Sequence, residues 1–351
     1  MIKYMYIIDK GCKREMSVTI KDIAKIANVS HTTVSRALNN SPYINEETKV
    51  KIKSLAKELN YVPNYNAKSL VLLKSYVIGV FFTSISEGTS DTFFHEIIKG
   101  INKVMDKEYN LVIRGIDDCE YSHPIDNKNF DGIIVVSQSK NDDEFIKNIL
   151  EKEIPIVVIN RHIETAGIVN IMSNDTKGSY DAVEYLIKNN HKKVALIEGN
   201  KEFESSLYRK KGYIKALEDN NIPLNKEYII SGKYTLESGY ENMKKLIALE
   251  NRPTAVFCLN DDIAVGAMKA VVESGLNVPN DISIIGFDDS NFCNYVTPPL
   301  TSVKKDSLTM SEYGGINLLN IIKNNEVNKE KLYIESKLVV RNSVKKLEYK
   351  F

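Results

Sequence analysis

Apolar positions in the first seventy residues recur at helical spacing in three short blocks. Thr19 is an N-cap with Asp22 three positions on, a capping-box pattern with Asp in place of Glu, and Ile20, Ile23, Ala24, Ile26 and Ala27 follow at helical spacing. Asn28-Val29 breaks that helix, and Ser30 can cap a second whose buried face is Val34, Ala37 and Leu38. The opposite face carries His31, Thr32, Thr33, Ser35, Arg36 and Asn39. A third helix is predicted over 46–59, with Val50, Ile52, Leu55, Ala56 and Leu59 inward. The turn between the first two is too tight for an antiparallel hairpin, so the pattern predicts a helix-turn-helix whose second helix enters a major groove. Hydroxyl side chains and one arginine near a helix N-terminus can reach base edges and phosphates, and a guanidinium fork suits guanine. The plain alternative is a small helical bundle with a polar face.

From Tyr76 the pattern changes to short apolar runs alternating with amphipathic helices. Strands are predicted over 76–82, 110–114, 132–136, 156–159, 193–198, 227–231, 255–258 and 283–287. Helices are predicted over 93–107, 143–151, 178–189, 208–220, 236–249 and 262–274. Such alternation implies parallel sheets with right-handed crossovers. The spacing predicts two lobes, 76–160 and 163–290, meeting near Asn160-Arg161, with 291–325 returning to the first lobe and 330–344 completing the second. The last strand is expected over 332–340. Between 116 and 131 there is room only for a turn or an irregular loop, because the segment is short and holds Pro124. Ligands in such sheets bind beyond the carboxyl ends of the strands, between lobes. The polar groups Asn160-Arg161, Asn260-Asp261-Asp262 and Asp288-Asp289 fall at those ends.

Charge sharpens this division. Residues 17–75 hold nine Lys/Arg against four Asp/Glu, a net of +5; residues 1–16 carry +2. The chain total is +1, which leaves −6 for 76–351. A basic head on an acidic body points to a polyanion partner for the head alone. Cys12, Cys119, Cys258 and Cys293 are scattered with no CxxC, a spacing that favours free thiols over metal binding or a disulfide framework. No apolar run approaches the ~20 residues needed to cross a bilayer. The apolar start is broken by Asp9 and Lys10, so no membrane or leader segment is expected and the location expected is cytoplasmic.

The run at 19–39, TIKDIAKIANVSHTTVSRALN, closely resembles the signature of the LacI/GalR family of bacterial repressors. Tyr61-Val-Pro-Asn64 followed by Ala67-Lys-Ser-Leu70 is similar to that family's hinge, and the resemblance extends over about 18–344. It implies an α/β fold class: an all-α helix-turn-helix head on a two-lobed, periplasmic-binding-protein-like sensor. The resemblance implies a homodimer on pseudo-palindromic operator DNA, acting as a repressor of sugar-utilisation genes and switched by a small molecule, a sugar or sugar derivative. DNA contacts would fall to Thr19, Ser30, His31, Thr32, Thr33, Ser35, Arg36 and Asn39, and in the hinge to Asn64, Ala67, Lys68 and Leu70. In the family the paired hinge helices enter the minor groove and a leucine, here Leu70, wedges between base pairs. Effector contacts would map to Phe93 or Phe94, Asn160, Arg161, Ser205, Arg209, Tyr234, Asp261 and Asp288. Asp and Arg grip hydroxyls, and an aromatic covers a ring face.

The domain order expected is a dispensable extension over 1–16, with functional initiation at Met16, the head over 17–63, the hinge over 64–75, the sensor over 76–344 and a tail over 345–351. Asn160 stands where many members carry Asp. No leucine heptad follows the last strand, so the expectation is a dimer. A secreted sugar-binding protein of a transporter would share the body but should have a signal peptide and no head. Catalysis is not expected, since there is no GxSxG, P-loop, HExxH or GxGxxG after a strand. No cofactor or metal is implied.

Overall fold

The computed structural model describes residues 18–38, 40–61, 74–86, 88–118, 125–165, 167–324 and 331–348. The chain divides into two compact units, Met1–Leu72 and Leu73–Phe351. The proposed extension, Asn39 and the hinge residues Asn64, Ala67, Lys68 and Leu70 lie outside the described residues.

The smaller unit has three helices, α1 (Ile20–Ala27), α2 (His31–Leu38) and α3 (Glu46–Glu58). The Asp22 carboxylate accepts both the backbone N–H of Thr19 (2.9 Å) and its hydroxyl (2.6 Å), closing the first turn. Asn28 ends α1 in the left-handed region, which Asn tolerates. Ser30 accepts the Thr33 N–H at 3.0 Å and so starts α2. The core is Ile23, Ala24, Ala27, Val34, Ala37, Ile52 and Ala56. Val50, expected inward, faces solvent (61% exposed), and so does Ile26 (58%). At about 100° per residue, Ile26 lies roughly 120° from the centre of the Ile20/Ile23/Ala24/Ala27 stripe, and Val50 lies opposite Ile52. Lys49 is buried on α3 instead, with its ammonium on Glu46 at 2.6 Å.

The larger unit repeats one topology twice. The first lobe has β1 (Val77–Phe82), α4 (Asp91–Val104), β2 (Asn110–Gly115), β3 (Gly132–Val136), α5 (Asp143–Glu151), β4 (Ile156–Ile159) and β5 (Val169–Ser173). The second has α6 (Asp175–Lys188), β6 (Val194–Ile197), α7 (Glu204–Asp219), β7 (Ile229–Ile230), α8 (Leu236–Ile247), β8 (Ala255–Cys258), α9 (Asp261–Glu273), β9 (Ser283–Asp288) and β10 (Thr301–Lys304). Then α10 (Ser307–Asn324) and β11 (Lys331–Ile334) rejoin the first lobe, and β12 (Lys337–Val339) the second. The sheets run β11-β5-β4-β3-β1-β2 and β12-β10-β9-β8-β6-β7. All neighbours are parallel except β12, antiparallel to β10.

Both faces of the first sheet are covered, which is why its strands read as unbroken apolar runs. Ile78, Val80 and Phe82 pack with Ile97 and Ile101 of α4 and Met310 and Leu318 of α10; Phe81, Ile133 and Val135 face the other way, against Ile146 and Ile149 of α5. A Cβ on Gly100 would lie 2.6 Å from the Leu308 carbonyl oxygen, so glycine is what lets α4 and α10 approach.

The lobe boundaries differ from the sequence expectation. Residues 163–173 belong to the first lobe through β5, and 291–304 stay with the second through β10. The strand expected over 332–340 is two strands in different sheets. The chain therefore crosses between lobes three times, after Ser173, Lys304 and Ile334. Polar residues hid β5 and β10. Asn170 interrupts β5's apolar run, yet its buried side chain donates to the Ile168 carbonyl and accepts the Ile163 N–H. β10 holds Thr301 and Ser302 with their hydroxyls buried and bonded. Helices α6 and α7 begin earlier than expected, at Asp175 and Glu204. No helix separates β2 from β3 among the described residues.

Candidate functional site

In both lobes the strand order reverses beside β1 or β6, and connections leaving the sheets' carboxyl ends there frame a crevice between the lobes. Gly88, Ser90, Phe93, Gln138, Asn160 and Lys305 line it with Ser205, Arg209, Tyr234, Asn260 and Asp288.

Arg209 forms the floor. It points inward from the second turn of α7 and is 3% exposed. Its Nε donates to Asp175 at 2.9 Å and its Nη2 to Asp288 at 3.0 Å, while Nη1 donates to the Leu259 carbonyl. The guanidinium lies 3.7 Å from the Phe287 ring centroid. Among the described residues the hydrogen bond to Asp288 reaches its Oδ1, and none reaches Oδ2. Asp288 (φ 105°) and Asn160 (φ 77°) sit in the left-handed region, a strained backbone of the kind found at ligand clamps. Tyr234 stacks on Phe203 and shares its hydroxyl with Ser206 at 2.7 Å and Ser205 at 3.3 Å. A Cβ at Gly88 (φ 77°) would lie 2.7 Å from the Phe203 ring, so this wall admits only glycine.

Of the predicted contacts, Phe93, Asn160, Ser205, Arg209, Tyr234 and Asp288 meet around this crevice; three do not. Phe94 packs against Phe82 at 5.0 Å in the first-lobe core. Arg161 turns away from the crevice, donating to Ser137 at 2.8 Å and to Asp143, with Glu204 at 3.8 Å. Since the Glu204 N–H also donates to the Gln138 carbonyl at 2.9 Å, Arg161 straps the lobes together instead of lining the cleft. Asp261 is fully buried and accepts the Ser302 hydroxyl at 2.5 Å and the Ser290 N–H at 2.7 Å. It ties α9 to the β9–β10 connection, and the cap of α9 is Asn260.

Burial and the negative charge of Asp288 push Asp261 up to about 7, against the pull of its hydrogen bonds. A carboxyl whose folded pKa exceeds its unfolded value stabilises the fold most below about pH 4 and loses that contribution as pH rises towards 7. Asp261→Asn is therefore expected to flatten the fall in urea-measured stability between pH 4 and 7.5. It should also cost about 1–3 kcal/mol for the bond that an amide cannot replace. An unchanged pH slope would contradict this account.

Sequence reasoning missed Ser90, Gln138 and Lys305 and did not place Asn260 among the contacts. Gln138 and Asn260 follow strands that were predicted, so strand-end position was an available signal. Lys305 follows β10, which the pattern did not reveal.

In the head, His31, Thr32 and Arg36 lie exposed on the outer face of α2, with Ser35 partly covered on the same face. Thr19 is exposed at the start of α1. Ser30 and Thr33 are engaged with each other at 2.9 Å in the cap of α2, at the helix's positive end, where a phosphate can be received. Among the described residues no helix is long and apolar enough to cross a membrane, and no three His, Cys, Asp or Glu side chains are grouped to hold a metal ion. Cys258 and Cys293 are buried free thiols.

Residues 19–64 match the profile described as bacterial regulatory proteins, lacI family, and 183–344 match the periplasmic binding protein-like domain. The chain is 53% identical over 330 residues to the "Probable HTH-type transcriptional repressor ExuR" of Bacillus subtilis (strain 168), covering 94% of this chain and 99% of that one. The lac repressor dimer bound to operator and the anti-inducer ONPF superposes with a TM-score of 0.79 at 26% identity, covering 94% and 99%. A LacI family transcriptional regulator from Enterococcus faecium with bound ribose gives 0.70 at 25%, covering 78% and 100%. Head, two-lobed body and near-full-length identity agree: this chain is a DNA-binding transcription regulator and belongs to the lacI family.

Proposed function

We propose that the protein is a cytoplasmic, homodimeric repressor that binds a pseudo-palindromic operator through the α2 face and the hinge, and is switched by a sugar bound between the lobes. The observation that carries the effector reading is the buried Asp175–Arg209–Asp288 cluster at the floor of a crevice lined from both lobes. Fixed carboxylate and guanidinium groups suit vicinal hydroxyls, and Phe93 offers an apolar face to a sugar ring. The lac repressor dimer on operator DNA and the ribose-bound relative support the same assembly and ligand class. A ligand gripping both lobes binds one lobe arrangement better than another, and that differential affinity is what can shift operator affinity.

The test selects an operator from a random duplex pool, then titrates the protein on it by fluorescence anisotropy with and without a panel of neutral and acidic monosaccharides. At least one sugar should change operator affinity by about 5–150-fold. A protein that binds its operator identically with every sugar would refute the switch.

A further inference from the structure

A second cavity, of about 450 Å³, opens on the second lobe and is large enough for a small molecule. The connection from β6 to α7, the first turns of α7 and the turn leading into β7 enclose it, and no residue lines both this cavity and the crevice. Tyr234 stands between the two. Its hydroxyl is shared by Ser205, on the crevice side, and Ser206, on the cavity side. A Cβ on Gly199, in the cavity wall, would lie 2.3 Å from the Tyr234 ring.

Lys201, Lys210 and Lys226 line this cavity with a single carboxylate, Glu198, a local reversal of sign on a larger unit that is acidic overall. Glu198 is 5% exposed and fully engaged, with Lys210 at 2.8 Å and the Ser231 hydroxyl donating to it at 2.6 Å. That carboxylate offsets Lys210 and nothing more. Among the described residues neither Lys201 nor Lys226 has a carboxylate within 4.0 Å, so two ammonium groups share one opening without a direct counter-charge. Leu207, 56% exposed in the first turn of α7, and Ile229 of β7 add an apolar wall.

We propose that this cavity is a second ligand site, separate from the crevice, for a small phosphate monoester: Lys201 and Lys226 receive the phosphoryl group, and Leu207 and Ile229 cover the body of the molecule. The inference is independent of what the crevice takes. A phosphate monoester carries about −1.5 to −2 charges at pH 7 and three strong acceptor oxygens, which match two unpaired ammonium groups, whereas a monocarboxylate neutralises only one of them. The Ser231 hydroxyl spends its proton on Glu198 and keeps its lone pairs for a hydroxyl of the ligand.

The experiment is isothermal titration of the full chain, at about 0.15 M salt, with glucose 6-phosphate and AMP, with their parents glucose and adenosine, and with inorganic phosphate. At least one ester should bind more than about tenfold tighter than its parent and than inorganic phosphate; which of the two does so tells a sugar phosphate from a nucleotide. In the double variant Lys201→Gln/Lys226→Gln that gap should shrink to under about threefold. Both lysines are exposed and lie outside the crevice, so this variant should keep the parent's melting temperature and its operator affinity. Esters that bind no better than their parents, inorganic phosphate that binds as tightly as either ester, or an ester preference that survives in the double variant overturns the proposal.

Discussion

Arg209→Ala is expected to abolish effector binding and the change in operator affinity that depends on it. The guanidinium spans Asp175 at 2.9 Å and Asp288 at 3.0 Å, and its removal strips the crevice of its floor and leaves two buried carboxylates without their shared counter-ion. Breaking a buried pair by deleting one partner costs about 3–5 kcal/mol, so the melting temperature of the larger unit should also fall by several degrees. The stability loss alone would not separate a ligand-gripping role from a structural one. Arg209→Met does: it restores most of the side-chain volume over Phe287 but no donor. If the arginine grips ligand, Met should recover part of the stability lost in the Ala variant and none of the effector affinity. Titration calorimetry and operator anisotropy read the binding, and thermal unfolding reads the stability. Effector affinity within about twofold of the parent in either variant would remove Arg209 from the binding site.

Arg36→Ala is expected to weaken binding to the selected operator by about 1–3 kcal/mol, roughly 5- to 150-fold, while binding to random duplex falls much less. Arg36 is exposed and sits five residues beyond His31 on α2. A guanidinium there can take both acceptors of a guanine, and its loss should relax preference at one position of each half-site. Arg36→Lys keeps the charge but not the fork, and should retain random-duplex affinity while still losing discrimination. His31→Ala, at the first residue of the same helix, should have a smaller effect of the same kind. Both variants leave the crevice intact, so effector affinity of the free protein is expected to stay at the parent's value. If neither operator ranking nor affinity changes, the reading face is not on α2.

Much was legible along the chain because local physics fixed it. The head's helices follow from caps and apolar spacing within a few residues, with Thr19, Asp22 and Ser30 making the bonds their positions imply. The strands β1, β3, β4 and β8 read as continuous apolar runs because helices cover both faces of each sheet. Arg209 and Asp288 were identifiable by residue type and resemblance. What the sequence by itself determined was therefore the kind of each unit and six of the residues that line the crevice.

Tertiary structure decided the rest, since partners far apart in sequence do not show in local pattern. β5 and β10 look polar, but Asn170, Thr301 and Ser302 are satisfied by backbone and side-chain groups brought to them only by folding. The division of the last strand between two sheets depends on the three crossings between lobes, which no periodicity encodes. Arg161 and Asp261 have the chemistry of ligand contacts, yet Ser137, Glu204, Ser290 and Ser302 claim them first. Lys305 shows the reverse case. Nothing local distinguishes it from Lys304, which is exposed, and only the meeting of β10 with the end of β4 buries its ammonium beside Asn160 and Phe93. A side chain's type sets what it can bind, but whether it is still free to bind is set by the neighbours that folding delivers.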